Sequence, residues 1–133
     1  MSDDEDRTLD LVRRFNEAFN QHDVEGVMQL MTDDVVFENT SGGRFEGQVA
    51  VRGLLTRAFE LMAKGRFAAE GVFAAGDRCL VQWTYTFNSE KPDGGHVRGV
   101  DIFRLRQGLV AEKFSYVKSE EFVQQLGLQL PRT

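Results

Sequence analysis

Two periods of apolar spacing run along the chain, and the points where one gives way to the other divide it into elements. Over residues 8–20, Leu9, Val12, Phe15 and Phe19 recur at intervals of three and four, with Leu11 and Ala18 beside them, which predicts a helix. The acidic run Ser2-Asp3-Asp4-Glu5 reads as a capping box for it. Asp23 reads as a second N-cap, followed by Val24, Val27, Met28 and Met31 in the pattern of a short helix. Residues 35–39 read as a strand, 40–43 as a turn and 44–46 as a short return strand. Val51, Leu54, Leu55, Ala58 and Met62 form the apolar face of a third helix over 48–64, with Gly65 where a left-handed C-terminal cap belongs. Strands follow near 66–75, 78–88, 96–106 and 109–118, and a last short helix runs from Ser119 to about Gly127.

Short hairpins between the later strands imply antiparallel neighbours. Three amphipathic helices and one antiparallel sheet predict an α+β fold with the helices on one sheet face. The 133 residues carry no repeat or linker and read as a single domain over 1–133, with loose ends at 1–6 and 128–133. Both parities of the strands between 66 and 118 carry large apolar residues, among them Leu80, Val81, Trp83, Tyr85, Phe87, Val100 and Ile102. The helices can cover only one face, so the other predicts a homodimer.

Composition narrows the function by exclusion. A net charge of −5 lacks the basic footprint of a nucleic-acid binder. No apolar run is long enough to cross a membrane, and the acidic start has no secretory core, so a cytoplasmic setting is expected. The single Cys79 agrees with a reducing compartment. His22 and His96 stand alone, so no metal site is expected. No nucleophile elbow and no glycine-rich phosphate loop occurs. Eleven Phe against two Tyr supply rings for a large core, or for a core and an apolar pocket.

Chemistry concentrates in residues 99–106 (GVDIFRLR). Alternation places Val100, Ile102, Arg104 and Arg106 on one face and Asp101, Phe103 and Leu105 on the other. The arginines want water, so Asp101 projects from the apolar face, where a carboxylate is costly unless paired or protonated. A three-residue loop with Gly108 left-handed would set Asp101 opposite Lys113, with Ser115 on the same face. A two-residue turn at Gln107-Gly108 would set it opposite Phe114. The first register makes Asp101 a structural ion-pair partner. The other reading makes it a pocket acid that donates to a ligand oxygen.

The segments FNEAFNQHDVEGVMQLMTDDVVFENTSGG, RFEGQVAVRGLL, AAGDRCLVQWTYTF and RGVDIFRLRQGLVAEKFSYV resemble the SnoaL-like group of the nuclear transport factor 2-like superfamily, over about residues 8–122. The resemblance implies a cone: a curved sheet wrapped around helices, enclosing an apolar pocket, usually in a homodimer. Its members include ketosteroid isomerases, polyketide cyclases and limonene-epoxide-hydrolase-like enzymes. Asp101 falls where the isomerases carry an oxyanion-hole aspartate and the cyclases a catalytic acid/base. Phe15 falls at the isomerases' tyrosine and Asn39 at their proton-shuttling aspartate, and neither can act as acid or base. The epoxide-hydrolase pattern lacks its second carboxylate, since Ser115 stands there.

The expected function is therefore binding of a small apolar molecule, with a cofactor-free isomerase, cyclase or hydratase activity using Asp101. Phe15, Phe37, Asn39, Trp83, Phe103, Lys113 and Ser115 are the expected ligand contacts, with Asn39 and Ser115 orienting a ligand oxygen. The alternative is a non-catalytic binding or dimerisation domain on the same fold.

Overall fold

The stripe that begins at Leu9 lies on helix α1 (Asp3–Asn20) in the computed structural model, which describes residues 3–40, 42–91, 93 and 95–118. The helix starts a turn earlier than the apolar pattern. Residues 3–6 form its first turn, where the acidic side chains of residues 4–6 suit the positive end of the helix dipole. The Thr8 hydroxyl lies 2.9 Å from the Asp4 carbonyl and 3.1 Å from that of Gly76, which ties α1 to a distant turn.

Helix α2 (Val24–Met28) is capped as expected, its Asp23 side chain accepting from the Gly26 amide at 3.0 Å. It stops short of Met31, which instead opens strand β1 (Met31–Glu38). The Val110 amide donates to the Leu30 carbonyl at 2.8 Å, drawing this stretch into the sheet. Strand β2 (Arg44–Glu46), helix α3 (Gln48–Leu61) and strands β3 (Arg66–Ala75), β4 (Arg78–Thr86), β5 (His96–Arg106) and β6 (Leu109–Val117) follow. The predicted helix over 119–127 lies outside the described residues.

The six strands form one curved, unclosed sheet in the order β2-β1-β6-β5-β4-β3. It is not wholly antiparallel, because β1 runs parallel to β6. Those two strands are separated by most of the chain, and a long crossover permits a parallel pair where a hairpin does not. The inward face carries Cys79, Val81, Trp83 and Tyr85 from β4 and Asp101, Phe103 and Leu105 from β5, all buried against the helices. The outward face carries a row across four strands, Phe73, Leu80, Ile102 and Phe114, in direct register.

The β5–β6 hairpin follows neither predicted register. Gln107 and Gly108 form a two-residue turn with φ of 53° and 76°, the mirror-image turn that suits the twist of a hairpin. Beyond it Ala111 is an extra residue: Leu105 faces Val110, but Arg104 faces Glu112. This bulge shifts the ladder by one, so Asp101 faces Ser115, and Lys113 is its diagonal neighbour on the same side.

Gly65 is present for a reason other than the expected one. It is not among the positive-φ glycines, and a Cβ there would sit 1.7 Å from the Tyr85 hydroxyl. Gly99 is under the same kind of constraint, since its Cβ would lie 2.4 Å from the Tyr116 carbonyl oxygen and 2.5 Å from Trp83 Cζ2. Backbone and a fully packed indole cannot both give way. Gly99→Ala is expected to destabilise the fold by about 1–3 kcal/mol of overpacking strain in urea denaturation. Unchanged stability would mean that Trp83 does not lie over this strand.

Candidate functional site

The sheet and the two longer helices do not close on each other. Between them remains a cavity of about 810 Å³. α1 contributes Leu9, Val12, Asn16 and Phe19 to its wall, α3 and its C-cap contribute Leu54, Leu55, Ala58 and Met62, and the sheet contributes Phe37, Phe67, Val81 and Trp83. Flat rings standing edge to face frame it: Phe19 meets Phe59 at 4.9 Å and Phe67 at 5.4 Å, and Phe67 meets Trp83 at 4.9 Å. Such pairs resist collapse because each ring has few rotamers and a preferred angle to its neighbour. The Asn20 side chain grips the Phe67 backbone from both sides, donating to its carbonyl at 2.8 Å and accepting from its amide at 2.9 Å. Exposed Arg13, Glu17 and Arg57 also line the cavity, so they mark its mouth.

One polar cluster interrupts this apolar wall. Asp101 and Lys113 are 7% and 9% exposed, and Lys113 Nζ lies 3.6 Å from Asp101 Oδ2. Lys113 also donates to Ser115 Oγ at 3.2 Å, and its ammonium lies 5.1 Å and 5.2 Å from the ring centres of Phe19 and Phe37. The ion pair offsets the desolvation of both charges, and the two ring faces add to the cation's side. Two buried polar atoms here have no hydrogen-bond partner among the described residues: Asp101 Oδ1 and Trp83 Nε1.

Of the expected contacts, Phe37, Asn39, Trp83, Asp101, Lys113 and Ser115 border the cavity. Phe15 and Phe103 do not. They pack edge to face at 5.3 Å, both at 0% exposure, and belong to the core behind the wall. Asn39 borders the cavity, but its Oδ1 accepts from the Gly43 amide at 2.9 Å and closes the turn after β1. One lone pair of its side-chain oxygen therefore serves that turn. Phe45, Phe67 and Asn20 line the cavity without having been expected to. Asn20 gives no sequence signal beyond that of a polar residue ending a helix.

Trp83 and Tyr85 face inward, a side that alternation alone left open, whereas Phe87 lies past the end of β4 and is half exposed. Arg98 pairs with Glu70 at 2.6 Å and Arg104 with Glu112 at 2.6 Å, both on the outward face. Burial pushes the Cys79 thiol up to about 11, which leaves it protonated and unreactive at neutral pH. Among the described residues no cluster of His, Cys, Asp and Glu could hold a metal, and no helix is long and apolar enough to cross a membrane.

A family model described as the SnoaL-like domain matches residues 12–113. The chain is similar to a solved NTF2-like protein of unknown function from Mesorhizobium loti, with 34% identity, 90% of this chain and 97% of that one covered, and a TM-score of 0.76. It shares its fold with a protein described as a ketosteroid isomerase from Kribbella flavida, at 18% identity, 98% and 86% coverage and a TM-score of 0.77. It also shares it with a protein described as a polyketide cyclase from Xanthomonas campestris, at 22% identity, 92% and 98% coverage and a TM-score of 0.70. No curated protein matches the chain.

Removing one partner of a buried ion pair leaves the other charge stranded. Asp101→Asn and Lys113→Met are each expected to cost about 3 kcal/mol in chemical denaturation, the low end of the usual range because both side chains border the cavity. The double variant is expected to be more stable than the sum of the two losses predicts. Strict additivity would show that the two charges do not stabilise each other.

Proposed function

This chain belongs to the SnoaL-like domain family, and on that premise we propose that it binds a small, mainly apolar molecule in the cavity and transforms it without a cofactor. The reaction class is that of an isomerase or cyclase, with Asp101 as acid/base. The observation that carries this reading is a buried carboxylate–ammonium pair on the wall of an open apolar cavity. Structural ion pairs need no hollow beside them.

The residues suit proton transfer next to a carbonyl. Asp101, the carboxylate of the ion pair with Lys113, accepts the proton of a C–H bond. The electron pair moves onto the carbonyl oxygen as an enolate, which the Lys113 ammonium stabilises from within an apolar wall. Asp101 then returns the proton at a second carbon, or the enolate carbon closes a ring on another carbonyl, whose oxygen takes the proton back from Asp101. A panel of steroids, polyketide-like rings and terpenes, screened by native mass shift and thermal stabilisation, tests the reading. Asp101→Asn is expected to retain binding of a hit and lose turnover by at least about 100-fold. Unchanged turnover would remove Asp101 from the chemistry.

The second reading, a binding or dimerisation domain without activity, draws support from Phe15 and Asn39. The first is sealed in the core and the second holds a turn. Both readings include a homodimer through the outward sheet face, where Phe73 is 64% exposed and continues the row through Leu80, Ile102 and Phe114. A reducing, cytoplasmic setting fits the lone buried Cys79. Two outcomes are expected. Light scattering at micromolar concentration gives the mass of two chains, against 15.1 kDa for one. Turnover of a 5-ene-3-ketosteroid is absent or feeble, because position 39 lacks the carboxylate whose general-base catalysis is worth ~10²–10⁴-fold. A monomer mass would overturn the first outcome, and a rate typical of ketosteroid isomerases the second.

A further inference from the structure

The two partnerless atoms at the site are of opposite kinds. Trp83 Nε1 can only donate, and an ionised Asp101 Oδ1 can only accept. They sit on neighbouring strands and on the same inward face. Val81 faces Asp101 and Trp83 faces Gly99, so Trp83 and Asp101 are diagonal neighbours, within reach of a large side chain. The missing Cβ of Gly99 lets the indole lean over β5. The contact there is made by Cζ2 and Cη2, so the six-membered ring of the indole lies over the strand that carries Asp101. Leaving two such atoms unpaired is costly, and a buried unsatisfied atom in a native site calls for a group not yet in place.

We propose that the cavity takes a ligand whose polar end is a hydroxyl (alcohol, enol or phenol), seated between Trp83 and Asp101. The hydroxyl oxygen accepts from the indole N–H, and the hydroxyl donates to Oδ1. A ketone or ether satisfies only the donor, an ammonium only the acceptor, and a second carboxylate is repelled by Asp101. Both atoms are closed to solvent, so the hydroxyl reaches them through small turns of the carboxylate and the indole about their last torsions, which are soft. The rest of the ligand meets the apolar wall. The proposal rests on the reading of the cavity as a small-molecule site, and the hydroxyl is a second polar group of the ligand, apart from the carbonyl that faces Lys113 in the reaction.

Isothermal titration of the wild-type protein with naphthalene, 2-methoxynaphthalene and 2-naphthol tests it. In a wall without hydrogen-bonding groups the naphthol would bind weakest, since its hydroxyl loses water on entry. The expected result is the reverse, with 2-naphthol at least about tenfold tighter than either analogue, because a site built for a hydroxyl rejects molecules lacking one. Trp83→Phe keeps a ring and removes the donor, and it is expected to erase most of that preference. The wild-type ranking decides the matter even if this variant unfolds. Equal or reversed affinities overturn the hydroxyl assignment and leave the cavity reading standing. Failure of all three to bind overturns the cavity reading together with the proposal. Trp83 is the only tryptophan, so its indole N–H gives a single resonance. If Asp101→Asn moves that resonance in the ligand-free protein as far as 2-naphthol does in wild type, the two side chains bond to each other directly and the proposal fails.

Discussion

The ladder between β5 and β6 is the constraint on which the site depends. One extra residue, Ala111, moves every later residue of β6 along by one position. Without it, a two-residue turn would put Phe114 opposite Asp101 and carry Lys113 to the outward face, leaving a buried carboxylate with no cation. With it, Lys113 and Ser115 share the inward face with Asp101, and the ion pair closes at 3.6 Å. Bulges recur beside active sites for this reason: they re-aim side chains without changing the strand's place in the sheet.

The cavity is the second consequence of packing rigid pieces. Rings at near-right angles support one another from the side and leave the space between them open. The Asn20–Phe67 clamp holds the end of α1 against β3, so the helix cannot slide inward. A polar cluster at the wall of such a hollow is exposed neither to bulk water nor to full protein packing. Charges there act strongly on whatever enters, because little solvent is present to screen them.

The two faces of the sheet divide the work. Inward, β4 and β5 supply the core and the polar cluster. Outward, the same strands present an apolar row flanked by the Arg98–Glu70 and Arg104–Glu112 pairs. Alternation along β4 and β5 keeps the inward and outward residues apart.

Much of this was legible in the residues alone. The three- and four-residue spacing of Leu9, Val12, Phe15 and Phe19 is a local property, as is the period of two that set Asp101 apart from Arg104 and Arg106. Each follows from backbone geometry within a few residues, and so do the Asp23 cap and the return strand at 44–46. The resemblance to SnoaL-like proteins carried the curved sheet wrapped on helices and implied an acid/base role for Asp101. What local pattern could not decide was anything involving two distant segments. The parallel β1–β6 pairing, the inward face of Trp83, the bulge at Ala111, the sealing of Phe15 and Phe103 into the core, and the reason for Gly65 all depend on contacts between residues far apart in the chain. A one-residue slip in register leaves the period of each strand intact while exchanging its faces. The sequence by itself thus determined which residues travel together on a face. Only the tertiary structure decided which faces meet, because that choice is made by packing across the whole chain.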